Sequence, residues 1–266
     1  MRTLDIGCLW IAPAAGAVWM ALLCIPAKYT EQIGRMNNKI WSKAEGLLDE
    51  REMFLNVWLI GFVIFLMAYI AYFPGIFGYD AAAQFAMYMG KIAFDSAKQP
   101  LFHTLLLGSV VSMGKMLFGS YRVGFAVLIA LQGAVISHSM ARCFVFLKRK
   151  NTPLPVLLAG FIWVVGNPYI QVLNCNITKD VLFGAFFVEF ILTFTAVLEK
   201  EKCSQADAVQ LALTGGAVCL LRNGFVIPFA VLAVVSFLAG VREKKLFAAF
   251  IAIIIFVEGF SLTADY

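Results

Sequence analysis

Long apolar runs, separated by short polar segments, make up most of the chain. Most runs hold roughly 17 to 24 residues, enough to cross a hydrocarbon core of about 30 Å at about 1.5 Å per residue of helix. In lipid the backbone polar groups must be satisfied within each segment, so the runs should be helices. The pattern predicts one all-α domain over residues 1–266, a polytopic transmembrane helix bundle of about eight spans. We expect the spans at about residues 8–27, 54–73, 124–147, 155–173, 181–199, 208–221, 225–241 and 246–263.

The apolar stretch at residues 208–241 is too long for one crossing, because a single helix of that length would measure about 51 Å. Only Arg222, Asn223 and Gly224 interrupt it. The stretch is therefore predicted to form two spans that turn, or break, at Arg222.

The run at residues 101–118 is ambiguous, because it contains His103 and Lys115 together with several Gly and Ser residues. If it does not cross the membrane, 14 of the 21 Lys and Arg residues fall on one side. If it does cross, the later basic clusters move to the side opposite residues 28–53. The positive-inside rule favours the first arrangement. We therefore expect 101–118 to be an interfacial helix that lies at the outer face or dips into it.

A second interfacial helix is predicted at about residues 80–98, in the first outer loop. Its apolar residues fall on one stripe and its polar residues, beginning with Gln84, fall on another, as is typical of a helix lying in the interface plane. The proline and glycines at 74–78 end the preceding span in a turn. With this topology Asp80, the Lys179–Asp180 pair and Arg222 all lie on the outer face.

Composition agrees with a membrane protein. The chain is 62% hydrophobic and only 14% charged, with a mean hydropathy of +0.86, whereas a soluble domain carries about 25% charged residues. The net charge of +5 comes from clusters between apolar runs, so it does not indicate a nucleic-acid partner. Six cysteines are scattered without CxxC or Cys/His spacing, which indicates neither a disulfide framework nor a zinc site.

Three polar positions could carry chemistry. Asp80 could act as a general base at headgroup depth, although Asp at a helix start is commonly an N-cap. Lys179 could present its ammonium to a phosphate, with Asp180 orienting it, although such a pair at a span end is often a local ion pair or snorkels. Arg222 lies within an apolar stretch, where it could bind phosphate in a bidentate manner or anchor a tight helical turn.

Four short segments, in this order, resemble the bacterial branch of the GT-C glycosyltransferases, which are related to the protein mannosyltransferases and aminoarabinose transferases. The segments read FPGIFGYD at 73–80, QPLFHT at 99–104, TKDVLF at 178–183 and LRNG at 221–224. The resemblance covers roughly residues 54–245 and implies a GT-C-like bundle. It implies that Asp80 is the catalytic base. The residues expected to bind substrate are Gln99, His103, Lys179, Asp180, Arg222 and Asn223.

The resemblance also implies an activity. A multi-pass enzyme of the bacterial plasma membrane, surrounded by membrane lipids, would transfer a sugar from a polyprenyl-phosphate carrier to a hydroxyl of a glycan, lipid or protein. No metal-ligand set is visible, but carboxylates at a phosphate site can hold Mg²⁺ or Mn²⁺, which leaves a divalent cation open as a cofactor.

Two features depart from the family pattern. Many relatives have a doubled carboxylate or a His-Pro where this chain has a lone Asp80 and Gln99-Pro100. Relatives are also usually much longer, so the chain is expected to be either a shortened member or the N-terminal part of a longer protein.

Two other functions stay open. A transporter or lipid flippase would also contain broken helices and buried charges. It should, however, show an inverted repeat and charges near the midplane, whereas the predicted charges lie at one face. A non-catalytic membrane assembly subunit is the third alternative, and it would tolerate loss of all three charged positions.

Overall fold

The computed structural model describes residues 49–95, 98–200, 202–238, 241 and 243–262. Within these residues the chain forms ten helices, and the only β pairing is an isolated parallel bridge between Ile76 and Asn176. The helices are α1 (Glu50–Ala71), α2 (Tyr79–Tyr88), α3 (Leu101–Phe118), α4 (Tyr121–Arg149), α5 (Leu154–Gly166), α6 (Pro168–Asn174), α7 (Lys179–Leu198), α8 (Gln205–Leu221), α9 (Val226–Leu238) and α10 (Lys244–Leu262).

The described residues are all-helical and include several helices able to span a membrane, as predicted for a membrane protein. Four of the described helices, α1, α3, α4 and α7, are long and apolar enough to cross a bilayer, and the bent pair α5 and α6 would make a fifth. Helices α8 and α9 are apolar but shorter. The count therefore falls below the predicted eight spans within the described residues, and the predicted first span at 8–27 lies outside them.

The predicted span at 155–173 consists of two helices at an angle rather than one continuous helix. The chain bends by 59° between α5 and α6, at Gly166, Asn167 and Pro168. Proline lacks a backbone N–H and clashes with the preceding turn, so α5 cannot continue through it. The break is stabilised locally: Asn167 Oδ1 accepts from the N–H of Tyr169 at 3.0 Å, and Gln171 Nε2 donates to the Val165 carbonyl at 2.9 Å.

The helix predicted at 80–98 forms only in its first half. Helix α2 ends at Tyr88, and Gly90 takes the left-handed conformation (φ 67°) that closes a helix, with its N–H donating to Met87. In a continuous helix, residue 98 would lie about 15 Å from Tyr88. The chain instead turns back, and the N–H of Gln99 donates to the carbonyl of Asp95 at 3.0 Å.

The predicted break at Arg222 is confirmed. Helix α8 ends at Leu221, and Arg222 is its C-cap in an extended conformation. Gly224 follows at φ 80°, and α9 begins at Val226. The apolar stretch is therefore two helices.

The basic clusters meet at one end of the bundle, which we call the basic end. Arg149 pairs with Glu50 at 2.7 Å, so the end of α4 lies beside the start of α1. Lys200, after α7, pairs with Asp207 in α8 at 2.8 Å. Across the molecule, Lys179 begins α7, and the 20 residues of that helix separate it from the basic end by about 30 Å. We call this opposite end the site end.

One carboxylate is buried between the helices. Glu189 of α7 is 5% exposed and lies 3.0 Å from both Arg142 and His138 of α4. Gln210 of α8 lies against Arg142, with its amide oxygen accepting from the guanidinium. Because charges are costly in an apolar interior, this cluster links α4, α7 and α8 through paired groups.

Small residues bring the helices of the site end close together. The Phe65 ring of α1 packs directly on Gly133 of α4, where an added Cβ would collide with it. Gly124 of α4 lies equally close to Val111 of α3. Glycine at helix crossings is a common device in membrane bundles, because it lets the backbones approach. Helix α3 thereby packs along the first half of α4.

Candidate functional site

Two turns that are distant in sequence pair with each other at the site end. The N–H of Ile76 donates to the carbonyl of Cys175 at 2.8 Å, and the N–H of Ile177 donates to that of Ile76 at 3.0 Å. Gln132 of α4 secures the second turn, because its Nε2 donates to the carbonyls of Asn174 and Asn176 at 2.9 and 3.0 Å. The start of α2 is therefore held beside the start of α7.

Asp80 lies in the first turn of α2, but it is not the N-cap. Gly78 holds that position without a side-chain bond, so the capping interpretation of Asp80 is wrong. The side chain of Asp80 is about half exposed. Its Oδ1 accepts from Gln99 Nε2 at 3.3 Å, and its Oδ2 lies 3.5 Å from Lys179 Nζ. The helix dipole favours an anion at this position.

Lys179 is turned inward. Its side chain is 16% exposed, and its ammonium donates to Gln99 Oε1 at 2.9 Å and to the Lys98 carbonyl at 3.4 Å. Its carboxylate neighbour is Asp80 rather than Asp180. The interpretation of Lys179 and Asp180 as a snorkelling or local pair is therefore wrong.

Asp180 pairs instead with Arg222. Arg222 Nη1 donates to Asp180 Oδ1 at 3.2 Å, and the guanidinium lies over the Phe183 ring at 5.2 Å. Both charged side chains are about half exposed, so the pair is open to an incoming anion. Asn223 lies beside Arg222 in the same exposed turn. The sequence-predicted residues around Asp80 and Arg222 thus share one end of the bundle.

His103 was expected to bind substrate, yet its side chain is buried. It is 1% exposed, and its Nδ1 lies 2.8 Å from Gln84 Oε1. It reaches Asp80 only through Gln84 and Gln99. Gln84 itself was expected on the polar, solvated stripe of the interfacial helix, and this is wrong because it is also 1% exposed. Its position four residues after Asp80, on the same helix face, was the available signal.

An apolar groove opens beside the site. It has a volume of about 610 Å³ and lies between α4, α7 and the bent pair α5 and α6. Asn176, Thr178 and Asp180 stand at its polar mouth, and most of its wall is apolar, including Ile136, Met140, Phe144, Val164, Val181 and Val188. Gly184 faces open space in this wall.

Within the described ranges, no group of three or more His, Cys, Asp or Glu side chains could hold a metal ion. The divalent cation considered above therefore has no visible ligand set in this part of the chain.

Comparison with protein-family models, curated proteins and solved structures gives no match. The GT-C resemblance therefore stays a prediction, and the functional argument depends on the chemistry of the site.

Proposed function

We propose that the protein is a membrane glycosyltransferase that moves a sugar from a polyprenyl-phosphate carrier to an acceptor hydroxyl at the outer face of the membrane. One observation carries the proposal. Asp180 lines the mouth of an apolar groove and pairs with Arg222, and the adjacent Lys179 lies against the carboxylate of Asp80. A lipid-linked sugar phosphate has the same arrangement of parts, with an apolar tail, an anionic link and a polar head.

The groove and the start of α7 supply the donor site of this proposal. The tail would occupy the groove along α4 and α7, where little polar surface competes for it. The phosphate would lie between Lys179 and Arg222, replacing part of their contacts with Asp80 and Asp180. The positive end of the dipole of the 20-residue helix α7 favours an anion there.

The transfer step is an inverting displacement. The acceptor oxygen attacks the anomeric carbon while the bond between that carbon and the phosphate oxygen breaks. The bonding electrons leave with the phosphate, whose charge Lys179 and Arg222 stabilise, and the acceptor proton passes to Asp80. A positioned base contributes about 10²–10⁴-fold, and one charge-stabilising contact contributes about 10²–10³-fold.

The membrane topology belongs to the same proposal. The site end would be the outer face, with about eight spans in a GT-C-like arrangement and α3 lying at the interface. Two observations support this orientation. The basic clusters gather at the opposite end, as the positive-inside rule requires of a cytoplasmic face. Gln132 of α4 lies at the same height in the bundle as Asn176. The part of α4 that precedes Gln132 extends about 16 Å beyond this height. Helix α3 packs against this part of α4.

The test is transfer of labelled sugar in membranes that contain the protein, supplied with polyprenyl phosphates bearing different sugars. Asp80→Asn keeps the size of the side chain but cannot take a proton, so we expect a loss of about 10²-fold or more. Glu199→Gln, which removes a carboxylate at the basic end, is the matched control and should keep the wild-type rate. Full activity of Asp80→Asn would remove the proposed base.

A lipid flippase is the second candidate, because Glu189 is buried and the α5–α6 pair is broken. In proteoliposomes a flippase would move the labelled carrier across the bilayer without forming a glycosylated product. Its activity would fall in Glu189→Gln and survive in Asp80→Asn, which is the reverse of the result expected for the transferase.

A further inference from the structure

Two buried polar side chains lie beneath the proposed base without touching the solvent. Gln84 of α2 and His103 of α3 are each 1% exposed, and Gln99, between them and Asp80, is 5% exposed. The four side chains form one chain of hydrogen bonds. His103 Nδ1 meets Gln84 Oε1 at 2.8 Å, Gln84 Nε2 meets Gln99 Oε1 at 2.8 Å, and Gln99 Nε2 meets Asp80 Oδ1 at 3.3 Å.

The donor and the acceptor of each hydrogen bond in this series are fixed by Lys179 and Asp80. The ammonium of Lys179 can only donate, so the atom that it meets at 2.9 Å must be the amide oxygen of Gln99. The Gln99 amide nitrogen then faces Asp80, whose carboxylate can only accept. Gln84 must therefore present its own nitrogen to Gln99 and its oxygen to His103. The imidazole is thereby held as the tautomer that donates from Nδ1.

We infer that Gln84 and His103 are positioning residues that hold Asp80 in its reactive orientation through the amide of Gln99. This inference rests on the proposed function and deepens it. The chain occupies Oδ1 of Asp80 with a neutral donor. Among the described residues, Oδ2 contacts only the ammonium of Lys179, at the longer distance of 3.5 Å, so Oδ2 is the oxygen that takes the acceptor proton.

The same series of hydrogen bonds joins α2 to α3. Asp80 and Gln84 lie on α2, whereas Gln99 and His103 flank the start of α3. A displacement of α3 would therefore move the base. A buried polar group that loses its partner raises the free energy of the folded state, so these hydrogen bonds favour one arrangement of α2 and α3.

Removing the amide of Gln84 tests the inference. In Gln84→Met the side chain keeps a similar length, but it no longer donates to the oxygen of Gln99 or accepts from His103. Loss or rotation of the Gln99 amide withdraws the donor from Asp80, which favours the protonated carboxyl. We expect kcat to fall about tenfold with the donor KM nearly unchanged. We also expect the acidic limb of the kcat/KM profile to move up by about 1 pH unit. The other titratable or charged groups around Asp80 are Lys179, Asp180, Arg222, His103, and Lys98 with its partner Asp95.

Variants at His103 make a second, independent test. His103→Leu removes the donor that orients Gln84, and we expect a loss of about tenfold. His103→Gln supplies an N–H in its place and should regain most of that loss. Thr104→Val is the matched control, because within the described part of the protein this buried hydroxyl bonds only the Pro100 carbonyl in the same turn and stands outside the hydrogen-bond chain. Its pH profile should be that of the wild type.

Three results would overturn the inference in folded, monodisperse protein: an unmoved acidic limb in Gln84→Met, equal activity of His103→Leu and His103→Gln, or a shifted profile in Thr104→Val. Failure of the proposed function is visible separately, as full activity of Asp80→Asn.

Discussion

Lys179 Nζ lies 3.5 Å from Asp80 Oδ2, although the two residues stand 99 positions apart. The contact depends on the paired turns around Ile76 and Cys175, which bring the start of α7 beside the start of α2. A cation so placed can hold the carboxylate in an empty site and turn to a phosphate when the donor arrives. The pair therefore connects the proposed base to the proposed donor site.

Lys179→Gln should lower kcat/KM about 10²-fold, because it removes a charge that stabilises the departing phosphate and loosens Gln99. The measurement is sugar transfer at saturating and at limiting donor concentrations. Lys98→Gln is the matched control, since that ammonium is 78% exposed and paired with Asp95. An equal loss in both variants would mean that general positive charge, rather than Lys179, is responsible.

Gly184→Phe should raise the donor KM with little change in kcat, because the new ring would occupy the open space that Gly184 faces in the groove. Gly259→Phe places the same ring in α10, at another helical glycine with open space around it. That control should transfer sugar at the wild-type rate. The test uses a long-chain carrier and a short-chain analogue. Unchanged KM for both carriers in Gly184→Phe would exclude the groove as the tail site.

Glu189→Leu should destabilise the fold by about 1–3 kcal/mol, because it leaves the partly buried guanidinium of Arg142 without its carboxylate. The double variant Glu189→Leu, Arg142→Leu should regain part of the loss, since it removes both charges. Thermal unfolding of the detergent-purified protein measures the effect, with Glu199→Gln as the exposed control. A double variant no more stable than the single one would contradict the assignment of this pair as the reason for the loss.

Impermeant thiol reagents should locate the two ends of the bundle in different compartments. Native cysteines are poor reporters: Cys175 and Cys203 are buried, and burial raises the pKa of both thiols. Tyr79→Cys at the site end, where the native side chain is 88% exposed, should be labelled in intact cells. Lys202→Cys, exposed at the basic end, should be labelled only after permeabilisation. Labelling of both positions from the same side would remove the proposed topology.

The sequence predicted helices and breaks correctly where the evidence comes from neighbouring residues along the chain. Apolar runs predicted α1, α4 and α7, because a segment that satisfies its own backbone in lipid must be helical. The break at Arg222 was also predictable, since a charge and a glycine interrupt an apolar stretch of two-helix length. Pro168 was an equally local signal for the α5–α6 bend, and it was overlooked within an apolar run.

What the sequence by itself determined is the class of protein, most helix positions and the residue types able to handle a sugar phosphate. Only the tertiary structure decided which of these residues meet. Gln84 has the polarity of a solvated position, and its burial became visible only when α3 supplied His103 and the adjoining turn supplied Gln99 as partners. The pairing of Lys179 with Asp80 rather than with the adjacent Asp180 has the same origin. Periodicity and composition report on neighbours along one helix, whereas hydrogen bonds between elements depend on how separate helices pack.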